Sequence, residues 1–337
     1  MNKQILLGHG SGGKLSQDLI KNLFVRYFDN PVLKMQTDAA LLKVDSKHIS
    51  FTTDSYVIDP IFFPGGNIGK LAVDGTINDL AVSGAIPLYL SASFIIEEGF
   101  HYNDLEKIVI SMAEEAKQAN VLIVTGDTKV VNKGKCDKVF INTAGIGFIS
   151  EENLTISSGE QINIGNKIII NGTIGDHGMA VMTAREGVNI SSNIISDSSP
   201  LNDLIQKCLK STDGIRFMRD ATRGGLATIC CELVSGKNFG MKLYEEKIPV
   251  NEPVKGICEL LGFDPLYVAN EGKVVMVVSS DQADKVIDEM SKHPLGKQSA
   301  VIGEITEAHP GMTILETEIG GSRIVDMLAG EQLPRIC

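Results

Sequence analysis

Apolar residues at Leu15, Leu19, Ile20, Leu23, Phe24 and Phe28 recur at helical spacing and predict an amphipathic helix over 15–28, stopped by Asn30-Pro31. The period then shortens. Ala39–Leu42, Ile49–Thr53 and Tyr56–Ile58 are short apolar runs split by turn residues, which predicts a strand meander. Asn67 can cap a helix from Ile68 to Val82. Pro87–Ile96 reads as a strand. Asn103–Asn120 reads as a helix with an Asn103-x-x-Glu106 capping box and an apolar face of Leu105, Ile108, Met112 and Ala116. Val121–Thr125 is a buried strand and Val139–Ile149 another, so residues 38–150 form an α/β unit with antiparallel strands.

A polar stretch over 151–166 marks a junction. Beyond it, strands are predicted at Lys167–Asn171, Val274–Val278 and Ala300–Ile305, and helices at Leu201–Leu209, after Asp220 to Val234, at Glu252–Leu261 and at Asp281–His293. From Ser322 the periodicity fades. Pro334 breaks helix hydrogen bonding, so the end should approach as an extended arm. Some 15 residues at about 3.3 Å each would reach on the order of 50 Å. The arm ends on a thiol, Cys337.

Composition narrows the class. A chain of 337 residues suits two domains, with ordinary globular hydrophobic and charged content. The net charge of −11 argues against nucleic acid or an anionic membrane as a partner, though not against phosphate met through Mg²⁺. No apolar run is long enough to span a bilayer, and the first residues do not read as a signal peptide. The six cysteines lack metal-type spacing. The protein is therefore expected to be cytoplasmic and reduced, with the five internal cysteines in the core.

Several polar clusters could carry chemistry. Gly8, Gly13 and Lys14 fit a phosphate-loop spacing, but Leu15 stands where a hydroxyl is needed, so a mobile glycine flap is expected. Asp54 ends a strand, and Asn78 and Asp79 lie late in a helix, where a buried carboxylate needs a partner or metal. Gly126-Asp127-Thr128-Lys129 follows a strand as a turn that can hold ligand groups. His177 sits in a glycine-rich turn, where a histidine is more often a structural hydrogen-bonder than a catalyst; both readings stay open. In Arg219–Leu226, Asp220 precedes a helix, Gly224 and Gly225 would admit a phosphate to its N-terminus, and Thr222 and Arg223 add donors. Glu271, just before a buried strand, is a candidate general base.

Together these motifs resemble one family over nearly the whole chain, the HypE hydrogenase maturation proteins, which are carbamoyl dehydratases. The residues that carry the resemblance are His9–Gly13, Thr53–Pro60, Phe63–Lys70, Asn78-Asp79 with Ala81–Ala85, Thr125–Val131, Arg219–Gly225, Ala269–Lys273 and the terminal Pro334–Cys337. The middle motifs also resemble the wider superfamily of aminoimidazole ribonucleotide synthetase, selenophosphate synthetase and thiamine-phosphate kinase.

The resemblance implies an α/β (α+β layered) PurM-like fold of two domains, over 38–150 and 151–315, with a glycine-rich N-terminal segment over 1–37 and a mobile tail over 316–337. It implies a homodimer whose N-terminal sheets pair into a barrel. ATP–Mg²⁺ would lie beside Asn78, Gly126, Asp127, Thr128, Thr222, Arg223, Gly224 and Gly225, with Mg²⁺ on Asp54, Asp79 and Asp220. A carbamoyltransferase, HypF, would load Cys337. ATP-driven dehydration would make a thiocyanate there, with Glu271 as base and Lys129 beside it. A HypC–HypD complex would accept the nitrile as cyanide for the iron of [NiFe] hydrogenase. Two other readings remain: a small-molecule enzyme of the superfamily, which needs no terminal thiol, and a non-catalytic adaptor, which needs no clustered aspartates.

Overall fold

The computed structural model describes residues 4–11, 14–36, 39–43, 47–185, 188, 192–327 and 336. Its first sheet contains β1 (Ile49–Tyr56), β2 (Ile86–Glu97), β3 (Leu122–Val131) and β4 (Val139–Phe148), in the order β1-β4-β2-β3. Strand β4 runs antiparallel to β1 and β2, but β2 and β3 are parallel. That departs from the antiparallel expectation because a helix (Tyr102–Gln118) crosses between them and returns the chain to the same end of the sheet. Among the described residues this sheet is open, with β1 and β3 as edges, and no closed barrel is found.

The predicted meander collapses to one strand. Ala39–Leu42 is not a strand, and β1 continues through Asp54 and Ser55, which pair with Thr143 and Asn142. The Asn142 amide donates to the Asp54 carbonyl at 2.8 Å and to Ser55 Oγ at 2.9 Å. Polar residues here end the apolar run without ending the ladder. On the outward face Ile49 and Phe51 are exposed, opposite Phe148 and Ile146.

The second sheet contains β5 (Lys167–Ile170), β6 (Ile215–Asp220), β7 (Gly240–Tyr244), β8 (Val274–Val278), β9 (Ala300–Thr306), β10 (Thr313–Glu316) and β11 (Ser322–Val325). Their order is β11-β10-β7-β9-β5-β8-β6. Helices cover both faces. Val275 and Val277 pack with the helix Gly225–Val234, while Val274, Met276 and Val278 pack with the helices Asn202–Ser211 and Ala283–Ser291. A strand buried on both faces should read as an unbroken apolar run, and β8 does. The predicted arm begins later than Ser322, because Ser322–Val325 pairs with β10.

The helix predicted over 15–28 is present as Lys14–Leu19, a π-helical stretch Ile20–Val25 and Arg26–Phe28. Asn30 then starts a new helical turn, its Oδ1 accepting from Leu33 N at 2.9 Å with Pro31 at the first position. The Asn103 capping box does not form. The helix starts after His101, which makes no side-chain cap, and Glu106 instead accepts the Tyr27 hydroxyl at 2.7 Å. Cys208, Cys230 and Cys258 are buried as expected, but Cys136 and Cys231 are only partly so. Among the described residues, no helix is long and apolar enough to cross a membrane.

Candidate active site

The helix Ile68–Val82 is the structural centre. Asn67 caps it as predicted, its Oδ1 accepting from Gly69 N at 2.8 Å and Lys70 N at 3.2 Å. The helix is buried nearly all round, lying between the first sheet and strand β6 of the second. Its last turn delivers Asn78 and Asp79 to the seam between the two sheets.

At that seam a cavity of about 220 Å³ is lined by Thr53, Asp54, Tyr56, Gly75, Asp79, Asp220, Thr222, Arg223 and Glu271. Asp54 comes from β1, Asp79 from the central helix and Asp220 from the last position of β6. The structure thus brings together five of the residues expected to act with nucleotide or metal, and Glu271 with them. Asp79 accepts from Thr52 Oγ1 at 2.8 Å. Among the described residues, two buried polar atoms here have no hydrogen-bond partner: Tyr56 Oη and Glu271 Oε1. Gly75 lacks a side chain for a local reason, since a Cβ there would lie 2.2 Å from Tyr56 Oη.

The turn carrying Glu271 is braced on every side. Asn78 donates to the Glu271 carbonyl and the Ser199 carbonyl, each at 3.1 Å, and accepts from Leu201 N at 2.8 Å. Asp197 accepts from Glu271 N at 3.1 Å and Gly272 N at 3.2 Å, and pairs with Lys273 at 2.7 Å. Gly272 is needed because a Cβ would meet the Asp197 carbonyl at 2.0 Å. Asn270 ties the turn to two others, accepting from Gly175 N at 2.7 Å and donating to the Ala221 carbonyl at 2.8 Å. Sequence reasoning missed Asp197. It sits in a serine-rich loop with no local pattern that marks it.

Crowding of carboxylates sets the electrostatics. Burial, with Asp79 next to it, pushes the Asp220 carboxyl up to about 7. Burial likewise raises Asp79, and Glu271 is pushed well up, first by burial and then by Asp197, Asp220 and Asp54. A cation would relieve this repulsion. The donors are all oxygen, which suits Mg²⁺. Yet among the described residues no three acidic or histidine groups converge as a ready-made metal centre. That favours an ion held by one or two carboxylates and completed by phosphate oxygens.

The remaining predicted residues lie elsewhere. Gly126, Asp127, Thr128 and Lys129 are not a turn: β3 continues through them, because β2 pairs with it from Leu122 to Val131. Gly126 lies so close to the Ala92 carbonyl that a Cβ would sit 2.1 Å from it. All four line a second cavity of about 220 Å³, beneath Phe24 and Phe28. Lys129, 2.9 Å from Asp127, holds that carboxyl below its usual range. Within one chain, Lys129 and Glu271 line different cavities.

Gly224 and Gly225 have φ of +72° and +60°, and a Cβ on Gly225 would meet the Leu266 carbonyl at 2.5 Å. Backbone conformation and helix packing already require these glycines. The expected glycine flap is, over Leu7–Gly10, a packed 3₁₀ turn, with Gly10 against Val130. Gly12, Gly13 and Cys337 lie outside the described residues.

Comparison with known proteins decides the family. The AIR synthase related protein models match here, the N-terminal domain over 36–149 and the C-terminal domain over 163–314. The carbamoyl dehydratase HypE of Bradyrhizobium diazoefficiens is 49% identical, over 98% of this chain and 95% of its own. That of Escherichia coli K12 is 47% identical over 99% of both chains.

The chain belongs to the HypE carbamoyl dehydratase family.

A crystal structure of a HypE in complex with ATP matches with a TM-score of 0.94 at 45% identity, covering 98% of this chain and 99% of that one. A HypE–HypF complex matches with a TM-score of 0.80 at 50% identity, over 92% of this chain and 99% of that one. The two-domain α/β architecture is therefore that of HypE, and the acidic cavity lies at the junction of its two sheets.

Proposed function

We propose that this protein uses ATP to dehydrate a carbamoyl group carried on the thiol of Cys337, leaving a thiocyanate that supplies the cyanide of the [NiFe] hydrogenase iron. One observation carries the reading. Ile336, the residue before the terminal cysteine, is buried in the core, and its carbonyl is 2.8 Å from His177 Nε2. The next residue, Gly178, donates to the Ala269 carbonyl at 3.0 Å, in the same turn that bears Glu271. A chain end anchored there suits a tail that brings its last side chain to the acidic cavity.

The chemistry follows. An amide oxygen is a poor leaving group, and taking up the γ-phosphoryl of ATP converts it to phosphate. One or two of Asp54, Asp79 and Asp220 would hold Mg²⁺, which would supply positive charge against the phosphates. Arg223 and Thr222 line the same cavity and would orient them. As phosphate departs with the amide oxygen, the nitrogen loses its protons to a base and C≡N forms. Glu271 suits that base: burial and the neighbouring carboxylates raise its carboxyl well above the usual range, so its ionised form takes up a proton readily. Lys129 would stabilise the departing oxygen if a second subunit's β3 faces the cavity.

A homodimer is part of the reading. The open first sheet exposes Ile49 and Phe51 on one face, and two such sheets packed together would close a barrel. HypF as carbamoyl donor and HypC–HypD as acceptor complete the reading, the first supported by the similar HypE–HypF complex, with the tail outside during loading and inside during dehydration. Intact-protein mass spectrometry tests the function. With a carbamoyl donor system and ATP, the chain should gain one carbamoyl group and then lose one water. Cys337→Ala should do neither while still binding ATP, and thiocyanate formed by that variant would exclude the reading.

A further inference from the structure

His177 is a fully buried imidazole that the dehydration chemistry leaves unused. It occupies the second position of the helix Asp176–Thr183. Phe63 meets its ring edge-on, with centroids 5.5 Å apart at 90°. Both ring nitrogens are engaged at 2.8 Å, Nδ1 with Ser196 Oγ and Nε2 with the Ile336 carbonyl.

The partners dictate which nitrogen carries the hydrogen. A carbonyl only accepts, so Nε2–H must be the donor to Ile336. Burial lowers the affinity of the ring for a second proton, so the imidazole is neutral despite Asp197 nearby. Nδ1 is then an acceptor, and the Ser196 hydroxyl donates to it. The same Ser196 oxygen accepts from Ser198 N at 3.2 Å, and the Ser198 hydroxyl donates to Asp74 at 2.8 Å. Asp74 is itself fully buried and 3.5 Å from Lys70. The row runs out from Ser198 in two directions: its N–H starts a line of donors through Ser196 and His177 to the Ile336 carbonyl, and its hydroxyl donates to a carboxylate fixed in the central helix.

We propose that His177 is the positioning residue of the C-terminal tail, a neutral Nε2–H clamp that grips the Ile336 carbonyl while the Ile336 side chain fills the adjoining apolar core. This rests on the reading that the tail delivers Cys337 to the site. The clamp recognises the tail through backbone and a β-branched side chain, so it acts whatever group the terminal sulfur carries. When the tail leaves, Nε2–H loses its acceptor inside a buried slot. That penalty returns the tail after loading, whereas a phenylalanine at 177 would impose none.

The test needs neither ATP nor a carbamoyl donor, so its failure is separable from failure of the dehydration reading. The rate at which iodoacetamide alkylates Cys337, located by peptide mass, reports how often the tail is out. His177→Phe should raise it about tenfold, and His177→Gln, whose amide keeps a donor and an acceptor, should recover most of the protection. Equal rates in parent and His177→Phe, with both folded, would overturn the clamp.

A second measurement covers a variant that does not fold. In the unsubstituted full chain, long-range ¹H–¹⁵N spectra of the imidazoles should show His177 as the Nε2–H form. Deleting Ile336 and Cys337 should shift that resonance. An Nδ1–H form, or no response to the deletion, would equally refute it.

Discussion

The two groups of predicted ligand residues meet opposite fates in one chain. Asp54, Asp79, Asp220, Thr222, Arg223 and Glu271 converge on one cavity from both sheets. Gly126–Lys129 lies on an edge strand, along a separate cavity, with Lys129 paired to its own neighbour Asp127. The first group is cross-braced by buried side chains and strained by like charge. The second is exposed and electrostatically satisfied. One group is thus preassembled around a cavity, and in the proposed homodimer the other would reach that cavity only from the second chain.

The largest effect should come from the preassembled half. Asp220→Asn removes a carboxylate at the centre of the repulsion, and dehydration should fall about a thousandfold, read as loss of thiocyanate in single-turnover assays. Stability should move the other way. The folded chain holds the Asp220 proton up to about pH 7, while the unfolded chain releases it near its ordinary 3.8. Between those values the folded state binds more protons, so stability falls as pH rises through the window. The variant has no such loss. Without ligand it should be more stable than the parent by on the order of 2 kcal/mol at pH 8, with the gap closing below pH 4. A gap that does not change with pH would mean that Asp220 is not held neutral.

The exposed half calls for a mixing experiment. Asp127→Asn and Asp220→Asn should each be inactive as pure proteins. If the edge strand completes the partner's cavity, subunit exchange between them gives heterodimers with one intact site, and the mixture should regain about a quarter of parental activity. No recovery, with exchange verified by mass, would place both halves in the same subunit's site.

The legibility of these regions in the sequence differed for physical reasons. The central helix, its Asn67 cap and the doubly buried β8 are set by local chemistry and periodicity, and they stand as predicted. Asp54 was legible as a candidate, but not as mid-strand: cross-strand pairing with Thr143 overrides its turn propensity. Gly126–Lys129 was mistaken for a turn because the parallel pairing with β2 that keeps it extended is non-local. Asp197 was invisible, since its worth lies in three contacts to residues more than seventy positions away. Glycines read as room for phosphate proved to serve positive φ and close backbone approach first.

A smaller effect should follow from Phe51→Glu, on the exposed face of β1. A charge there meets no partner in the single chain, so the fold should persist with an unchanged circular dichroism spectrum. The dimer should weaken by about tenfold or more, read by analytical ultracentrifugation. If the exposed half needs the second chain, activity should fall with dimer content. A monomer that kept full activity would end the two-half account.

The smallest effect tests how firmly the preassembled half is held. Asn67 caps the helix that ends at Asp79, with bonds of 2.8 and 3.2 Å to two first-turn amides. Asn67→Ala should cost about 1 kcal/mol, and Asn67→Asp should restore it, as aspartate caps equally well and suits the positive helix end. The helix is gripped by both sheets along its length, so fraying its first turn should not shift Asp79. Melting temperature should fall by about 2 °C or more with kcat nearly unchanged. A large loss of kcat at intact stability would show that the site depends on where this helix begins, and that burial by the sheets alone does not hold its carboxylates in place.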